Sequence, residues 1–451
     1  MTGTEQTAVR MKADSAEMAA SSDELRNAAL TRIEEMLGRE QEVIFAENKK
    51  DLEAAAENGV AEAVVKRLKF DEHKLADVCA GLKQLRELPD PLGMVTLDRE
   101  LDEGLRLKRI TCPIGVIGVI FEARPDALVQ IASLCIKSGN CALLKGGKET
   151  VNTNRILFKL IHDSAVAAGL PENCLCQAES HAEIDELLAC DRYVDLIIPR
   201  GSNAFVRHIM DNTKIPVMGH ADGICHIFVD EYCDQEMAIR IIVDAKTQYT
   251  AACNAVETLL VHRGIADEFL PKLAAELTKE RIKIRGTAEV VAKTQKSLNA
   301  SSFDSEAGEG TNKNADNIDI ETITDDDFET EYLSLTVGIR LVDDIDEAIR
   351  HINTHGSHHT DSIITDNENN AERFMQMVDS AGVYHNCSTR FSDGFRYGFG
   401  AEVGISTGKI HARGPVGLEG LVTYKYKLYG HGQIVGDYAS GKSSFHHRDM
   451  Q

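Results

Sequence analysis

Apolar residues recur at helical spacing through roughly the first ninety positions of the chain. Leu25, Ala29, Ile33 and Leu37 follow Ser21-Ser-Asp-Glu24, which has the form of a capping box, so a long amphipathic helix is expected to open the fold. The same period runs through Phe45 to Leu52, Ala61 to Leu68 and Lys74 to Leu88, until Pro89-Asp-Pro91-Leu-Gly93 stops it. From Val95 to Thr111 the period becomes two, with Leu101, Leu105, Leu107 and Ile110 around Asp102-Glu-Gly104. That pattern predicts an antiparallel hairpin, whose exposed edge needs a partner such as a second subunit.

Beyond Pro113 the chain alternates between buried strands and helices. The run Gly115-Val-Ile-Gly118-Val-Ile120 predicts a parallel strand, and Leu128, Ile131, Leu134 and Cys135 mark the helix after it. Cys141 to Leu144 is the next strand, ending in Lys145-Gly146-Gly147-Lys148, and a helix from Val151 to Ala168 follows. A short helical stretch around Leu187 leads to the strand Val194 to Ile198, then to Pro199-Arg200-Gly201-Ser202-Asn203 and a helix from Ala204 to Met210. This is β-α-β order. The alternation resumes with a strand reaching Val229, a helix Gln235 to Lys246, a strand at Leu259-Leu260-Val261 and a helix Ile265 to Lys279. Asn299 to Asp327 is Ser, Asp, Glu, Gly and Asn with few aromatics, and is expected to be a solvated loop. Strands at Leu335 to Leu341, Ser362 to Thr365 and Gly382 to His385 alternate with helices Ile345 to Ile352 and Asn370 to Val378. The glycine-rich stretch from Asn386 to Ser406 reads as loop, Gly420 to Leu428 as an edge strand, and the polar tail after Gly436 as loose.

Length and charge narrow the classes. At 451 residues the chain is too long for one core, and its 43% hydrophobic residues are ordinary for a soluble globular protein. A net charge of -23 argues against a general nucleic-acid or anionic-membrane surface. The first residues lack the apolar core of a signal peptide and no window suits a membrane span, so a cytoplasmic location is expected. Eleven cysteines, an odd number, suit a reducing compartment better than a disulfide framework.

Candidate chemistry gathers at strand ends. Thr247-Gln-Tyr-Thr-Ala-Ala-Cys253-Asn-Ala-Val-Glu-Thr258 sets one cysteine among small and polar residues ahead of a buried strand. A thiol leading a strand sits where a cleft can open and where neighbours can favour thiolate, which makes Cys253 a candidate nucleophile; an inert core cysteine is the alternative. Lys145, Lys148, Arg200 and Ser202 fall at the carboxyl ends of predicted strands, where open α/β sheets hold dinucleotides, though no G-x-G-x-x-G is present and each glycine is also consistent with an ordinary turn. His355, His358 and His359 lie close together, yet no Cys, Asp or Glu stands at ligand spacing, so the segment reads as a loop and no metal is expected.

Several segments together resemble the gamma-glutamyl phosphate reductases, a branch of the aldehyde dehydrogenase superfamily. They are Gly115-Val-Ile-Gly-Val-Ile-Phe-Glu-Ala-Arg-Pro125, Lys137-Ser-Gly-Asn140 with Lys145-Gly-Gly147, Asp195-Leu-Ile-Ile-Pro-Arg-Gly201, Gly219-His220 with Asp222-Gly-Ile-Cys-His226, Cys253-Asn-Ala-Val-Glu-Thr258, Ser388-Thr-Arg390, and Gly400-Ala-Glu-Val-Gly-Ile-Ser406 with His411-Ala-Arg-Gly-Pro415. The resemblance runs from about Ser21 to Val435. It implies an α/β, aldehyde-dehydrogenase-like fold with a Rossmann-type cofactor domain (1-94 and 113-230), an α/β catalytic domain (231-412, with a flexible insert at 299-327), and a β-hairpin and tail for oligomerisation (95-112 and 413-440).

The implied activity is NADPH-dependent reduction of L-glutamyl 5-phosphate to L-glutamate 5-semialdehyde, the second step of proline synthesis, through a thioester on Cys253. Asn254, His220 and Asp126 become the oxyanion and acid-base candidates. Many relatives carry Asn where Asp126 stands, and an ionised carboxylate there would repel an oxyanion, so Asp126 is turned away, protonated, or replaced in that role by backbone N–H groups. His220 stands roughly where hydrolytic relatives keep a deacylating glutamate, and a hydrogen-bonded turn histidine is its other reading. Lys145, Lys148, Arg200, Gly201, Ser202 and Glu331 are the implied NADP contacts, with Lys148 suited to the 2′-phosphate. Arg124, Arg390 and Ser388 are the implied substrate contacts. A homo-oligomer is expected, with the glutamate kinase a separate protein and candidate partner. The rivals are a hydrolytic NAD-dependent aldehyde dehydrogenase and a regulatory protein that has lost activity.

Overall fold

The computed structural model describes residues 1–450 except Ala61, Ser180, His181 and 304–318, and its chain divides into two compact units. Unit 1 comprises Met1–Gly219, Gly398–Ile405 and Ile410–Gln451; unit 2 comprises His220–Tyr397 and Ser406–Lys409. No described helix is long and apolar enough to cross a membrane.

Unit 1 begins with α1 (Gly3–Ala20), α2 (Asp23–Arg39), α3 (Gln41–Glu57), α4 (Glu62–Leu68) and α5 (Glu72–Glu87). The hairpin β1 (Val95–Asp102) and β2 (Leu105–Pro113) follows. Then come β3 (Val116–Phe121), α6 (Pro125–Lys137), β4 (Cys141–Lys145), α7 (Val151–Ala168), β5 (Leu175–Ala178), α8 (Ala182–Leu188), β6 (Leu196–Arg200) and α9 (Asn203–Asp211). Their parallel sheet has the order β5-β4-β3-β6. That order is the mononucleotide-binding half of a Rossmann fold, and its switch point lies between β3 and β6. Every residue of β3 and β4 is buried, which explains their continuous apolar runs.

Unit 2 contains β7 (Cys225–Val229), α10 (Gln235–Thr247), β8 (Val256–His262), α11 (Ala266–Lys279), β9 (Lys283–Gly286), α12 (Ala288–Phe303), β10 (Ile320–Thr322), β11 (Thr336–Val342), α13 (Ile345–His355), β12 (Thr360–Ile364), α14 (Glu368–Met377) and β13 (Gly382–His385). Seven parallel strands run in the order β10-β9-β11-β8-β7-β12-β13. The chain ends with β14 (Gly404–Ser406), β15 (Gly414–Val416), β16 (Val422–Tyr429), α15 (Val435–Ala439) and β17 (Arg448–Asp449).

Four expectations change. The fold opens with α1, not with the helix after Ser21: Thr2 caps it, Ala8, Met11 and Met18 bury one face, and Lys12 pairs with Asp195 at 2.6 Å. Ser21 and Ser22 divide their work, since the Ser21 hydroxyl donates to the Met18 carbonyl at the end of α1 while Ser22 caps α2. The stretch 299-327 is structured at both ends, by α12 and by β10 paired with β9, because Ile323 and Phe328 are buried; its middle lies outside the described residues. The tail after Gly436 is tied down rather than loose. Strand β17 pairs with β1 in a sheet ordered β16-β2-β1-β17, Arg99 holds Asp449, Arg448 holds Glu100, and Tyr438 of α15 donates to Asp102 of β1.

Unit 2 buries a group of histidines beneath its sheet. His351 of α13 is 6% exposed, with ring centroids 5.5 Å from His226, 4.6 Å from His355 and 4.9 Å from Phe328. His226 in turn holds Asp361 of β12 at 2.9 Å, and Glu329 stands 3.4 Å from His355. Burial first, then the charges of His226, His355 and Arg340, pull the His351 pKa down to about 2. The folded value lies below the unfolded value near 6.5, so this contribution is complete above about pH 6.5 and is lost as pH falls below it. Urea unfolding should therefore lose about 2 kcal/mol more between pH 7 and pH 5 in the natural chain than in His351→Leu. Equal losses would show that His351 protonates without penalty.

Candidate active site

Strands β8, β7 and β12 lie side by side and parallel, with Val256 opposite Cys225 and Ser362 opposite Ile227. Their leading ends therefore share one edge of the sheet, and each is preceded by a segment carrying a chemically capable side chain. His220 comes before β7, Cys253 before β8, and His359 immediately before β12. His359 is fully buried and places Nε2 3.2 Å from the half-buried Cys253 Sγ. Its Nδ1 lies 2.9 Å from Thr360 Oγ1. In the tautomer with the proton on Nδ1, that nitrogen donates to Thr360 and Nε2 is an acceptor facing the thiol. The His220 ring meets His359 edge-on at 4.9 Å.

The backbone under the thiol is tightly held. A Cβ on Gly223 would come within 2.1 Å of the Cys253 carbonyl oxygen and 2.5 Å of its Cα, so only glycine fits there. The Cys225 thiol donates to that carbonyl at 3.3 Å. Asn254 Nδ2 donates to the Ser392 carbonyl at 2.7 Å, and Thr389 Oγ1 donates to the Asn254 carbonyl at 2.7 Å, which ties the cysteine segment to the loop from Ser388 to Ser392. The Ser388 hydroxyl accepts from the Arg390 N–H at 3.3 Å, turning that loop into a short 3-10 helix. Arg390 is nearly buried, donates Nε to Gln248 Oε1 at 2.9 Å, and stands 5.9 Å from the centre of the Tyr249 ring. Burial and then Arg396 lower its pKa, while negative charge at Cys253 raises it, so the guanidinium and the sulfur feel one another.

Glu331 is half-buried and interacts with a fully buried pair, Lys246 and Glu257, whose charged atoms are 2.6 Å apart. Burial pushes Glu257 up to about 7 and Lys246 down, both toward their neutral forms.

In unit 1 the expected cofactor residues collect at the carboxyl ends of β4 and β6. Lys145 ends β4, is 6% exposed and donates to the Gly146 carbonyl at 2.5 Å; burial lowers its pKa against the pull of Glu183, Glu149 and Glu179. Lys148 is exposed in the turn that follows. Arg200 ends β6, and Ser202 opens α9 without a side-chain cap. Close packing holds the loops: a Cβ would meet Asn154 at 2.1 Å from Gly146, Glu149 at 2.3 Å from Gly147 and Glu122 at 2.6 Å from Gly201. Only at Gly146 is the obstructing side chain, Asn154, itself buried; the Glu149 and Glu122 carboxylates are flexible ends that can move aside. Arg124 is exposed at the N-cap of α6. Asp126, in the first turn of α6, accepts from Lys74 at 3.0 Å.

Three residues of these sites escape sequence pattern. His359 was hidden in a run of three histidines that the fold sends to three places: His355 ends α13, His358 bonds the Asp379 carbonyl, and only His359 reaches the thiol. Gln248 carries no signal beyond its nearness to Cys253. Glu122, which accepts from the Ser202 N–H at 3.2 Å, lies in the Phe-Glu-Ala-Arg-Pro segment, where one glutamate forms no pattern of its own.

Residues 3–295 match the aldehyde dehydrogenase family. The gamma-glutamyl phosphate reductase of Acetivibrio thermocellus is 53% identical over 443 residues, spanning 98% of this chain and 97% of that one. The enzyme of the same name from Ruminiclostridium cellulolyticum is 53% identical over 436 residues, spanning 97% and 95%. The crystal structure of gamma-glutamyl phosphate reductase from Thermotoga maritima superposes with a TM-score of 0.88 at 36% identity, covering 96% of this chain and all of that one. With a Rossmann half-sheet in one unit, a strand-leading thiol in the other and relatives of this identity over nearly the full length, the chain belongs to the gamma-glutamyl phosphate reductases of the aldehyde dehydrogenase family.

Proposed function

We propose that this chain reduces L-glutamyl 5-phosphate to L-glutamate 5-semialdehyde and phosphate, the second step of proline biosynthesis, using NADPH and a thioester on Cys253. Family membership supports the substrate, and the 3.2 Å contact between His359 Nε2 and Cys253 Sγ carries the mechanism. Imidazole takes the thiol proton as the sulfur attacks the acyl carbon; the carbon–oxygen bond to phosphate breaks and phosphate leaves with the electron pair. The Cys253 N–H, steadied by the contacts of its neighbours, supports the transient oxyanion, and Asn254 serves as the anchor that holds it. Arg390 and Ser388 supply the anion-binding side, with Arg390 positioned by Gln248; Arg124 is the further candidate for a charged end of the substrate.

Unit 1 is the dinucleotide-binding domain in this reading. The glycine cradles at the ends of β4 and β6 let backbone approach a ligand, Lys145 and Lys148 supply cations, and Glu122 suits a sugar hydroxyl, so the residues fit a nicotinamide dinucleotide. Aldehyde dehydrogenases use such cofactors, and when bound the reduced nicotinamide supplies hydride to the thioester carbon. Collapse of the resulting hemithioacetal breaks the carbon–sulfur bond, frees the aldehyde and returns the sulfur. By resemblance to the family, Glu331 is the proposed contact of the nicotinamide ribose. The exposed Tyr424, Tyr426, Leu428 and Tyr429 of β16 support a homo-oligomer.

Purified protein should oxidise glutamate semialdehyde with NADP only when phosphate or arsenate is present. Oxidation at the same rate in their absence would instead indicate a hydrolytic enzyme. Cys253→Ser should lower turnover by at least about 10³-fold while cofactor binding, followed by fluorescence, is kept. Lys148→Glu should shift the ratio of kcat/KM for NADPH over NADH by about tenfold toward NADH, and an unchanged ratio would remove Lys148 from the 2′-phosphate site. Gly223→Ala should cost about 10²-fold in kcat through displacement of the Cys253 backbone; undiminished kcat in a folded variant would contradict that close approach.

A further inference from the structure

We propose that His220, Cys253 and His359 together bind a soft divalent cation of the zinc type, and that the bound ion holds the enzyme in a reversible inactive state. Among the described residues this is the one group of three or more such side chains whose ligand atoms all lie within 4.8 Å of one another. One sulfur and two imidazole nitrogens form a donor set matched to zinc rather than to magnesium or calcium. With Zn–S near 2.3 Å and Zn–N near 2.1 Å, tetrahedral ligand atoms stand about 3.5 Å apart. The His359–Cys253 pair, at 3.2 Å, is already near that spacing. His220 lies on a half-buried segment ahead of β7 rather than within the strand, so a side-chain rotation can close the remaining ångström or so.

The surroundings favour the same conclusion. Thr360 holds His359 Nδ1, the kind of outer contact that orients a metal-bound imidazole and keeps its other nitrogen available. The three ligands come from segments leading into three adjacent strands, so the fold, not local sequence spacing, assembles them. Three protein ligands leave a fourth position for water. Binding forms a sulfur–metal bond and releases the thiol proton to solvent, which removes the electron pair that attack on an acyl phosphate requires. The binding claim stands on geometry alone; the inactivation claim also rests on Cys253 being the nucleophile.

The test uses the full-length protein stripped of metal by a chelator. Titration with zinc against a chromogenic indicator should show one equivalent bound, and cobalt(II) should give a thiolate-to-cobalt charge-transfer band. Cys253→Ala should abolish the band, and His220→Gln and His359→Gln should each weaken zinc by about tenfold or more. Zinc should stop the reduction, and chelator should restore it. Equal zinc affinity in wild type and Cys253→Ala would place the ion on other thiols and overturn the site. A bound ion with the charge-transfer band but unimpaired turnover would overturn the inactive state. Metal-free protein that binds zinc at this site but never reduces glutamyl phosphate would refute the functional reading while leaving the site intact.

Discussion

Parallel register between three neighbouring strands is the constraint on which the chemistry of unit 2 depends. Because Val256 is opposite Cys225 and Ile227 is opposite Ser362, the segments entering β8, β7 and β12 arrive at one sheet edge. A slip of one residue in any of them would turn alternate side chains to the other face and part the imidazole from the sulfur. The register is secured by burial, since every residue of β7 and β12 is inaccessible and β8 is accessible only at its last position. The hydrophobic packing of the sheet thus sets a polar contact at its rim.

Unit 1 shows the same division between a rigid sheet and an adaptable edge. Strands β3 and β4 are wholly buried, and the groups able to meet an anionic ligand stand on the turns just after β4 and β6. Gly146 there leaves room for the buried Asn154 amide, which a Cβ would crowd.

Much of the layout was legible in the chain itself. The β-α-β alternation from Gly115 to Met210 and the placement of Cys253 ahead of a strand follow from apolar period and local residue type, and the elements expected there lie within a few residues of those observed; only the short edge strand β5, four residues with two of them half-buried, has no signal in the pattern. What pattern could not supply is long-range pairing. Asp126 pairs with Lys74, 52 residues earlier, which no local pattern announces. His359 reaches a sulfur 106 positions away, and nothing near it in sequence announces that partner. The C-terminal strand looked loose because its polar residues find their counterparts, Arg99 and Glu100, on a hairpin some 350 residues back. Helix α1 was missed because small residues such as Ala8 bury its face, leaving a faint apolar signal.

Eleven sulfurs in one chain would ordinarily blur any attempt to address just one of them with a reagent. Here burial, foremost, raises the pKa of each of the other ten cysteines, to about 11 at Cys176 and Cys233, about 12 at Cys135 and Cys174, and furthest at Cys141 and Cys225. Such thiols keep their protons at neutral pH and react sluggishly with electrophiles. Cys253, with an imidazole nitrogen within reach of its proton, is set apart from them. A mild alkylating probe can therefore report on this one position in the native protein with no cysteine engineered away, and covalent fragments can be screened against it directly.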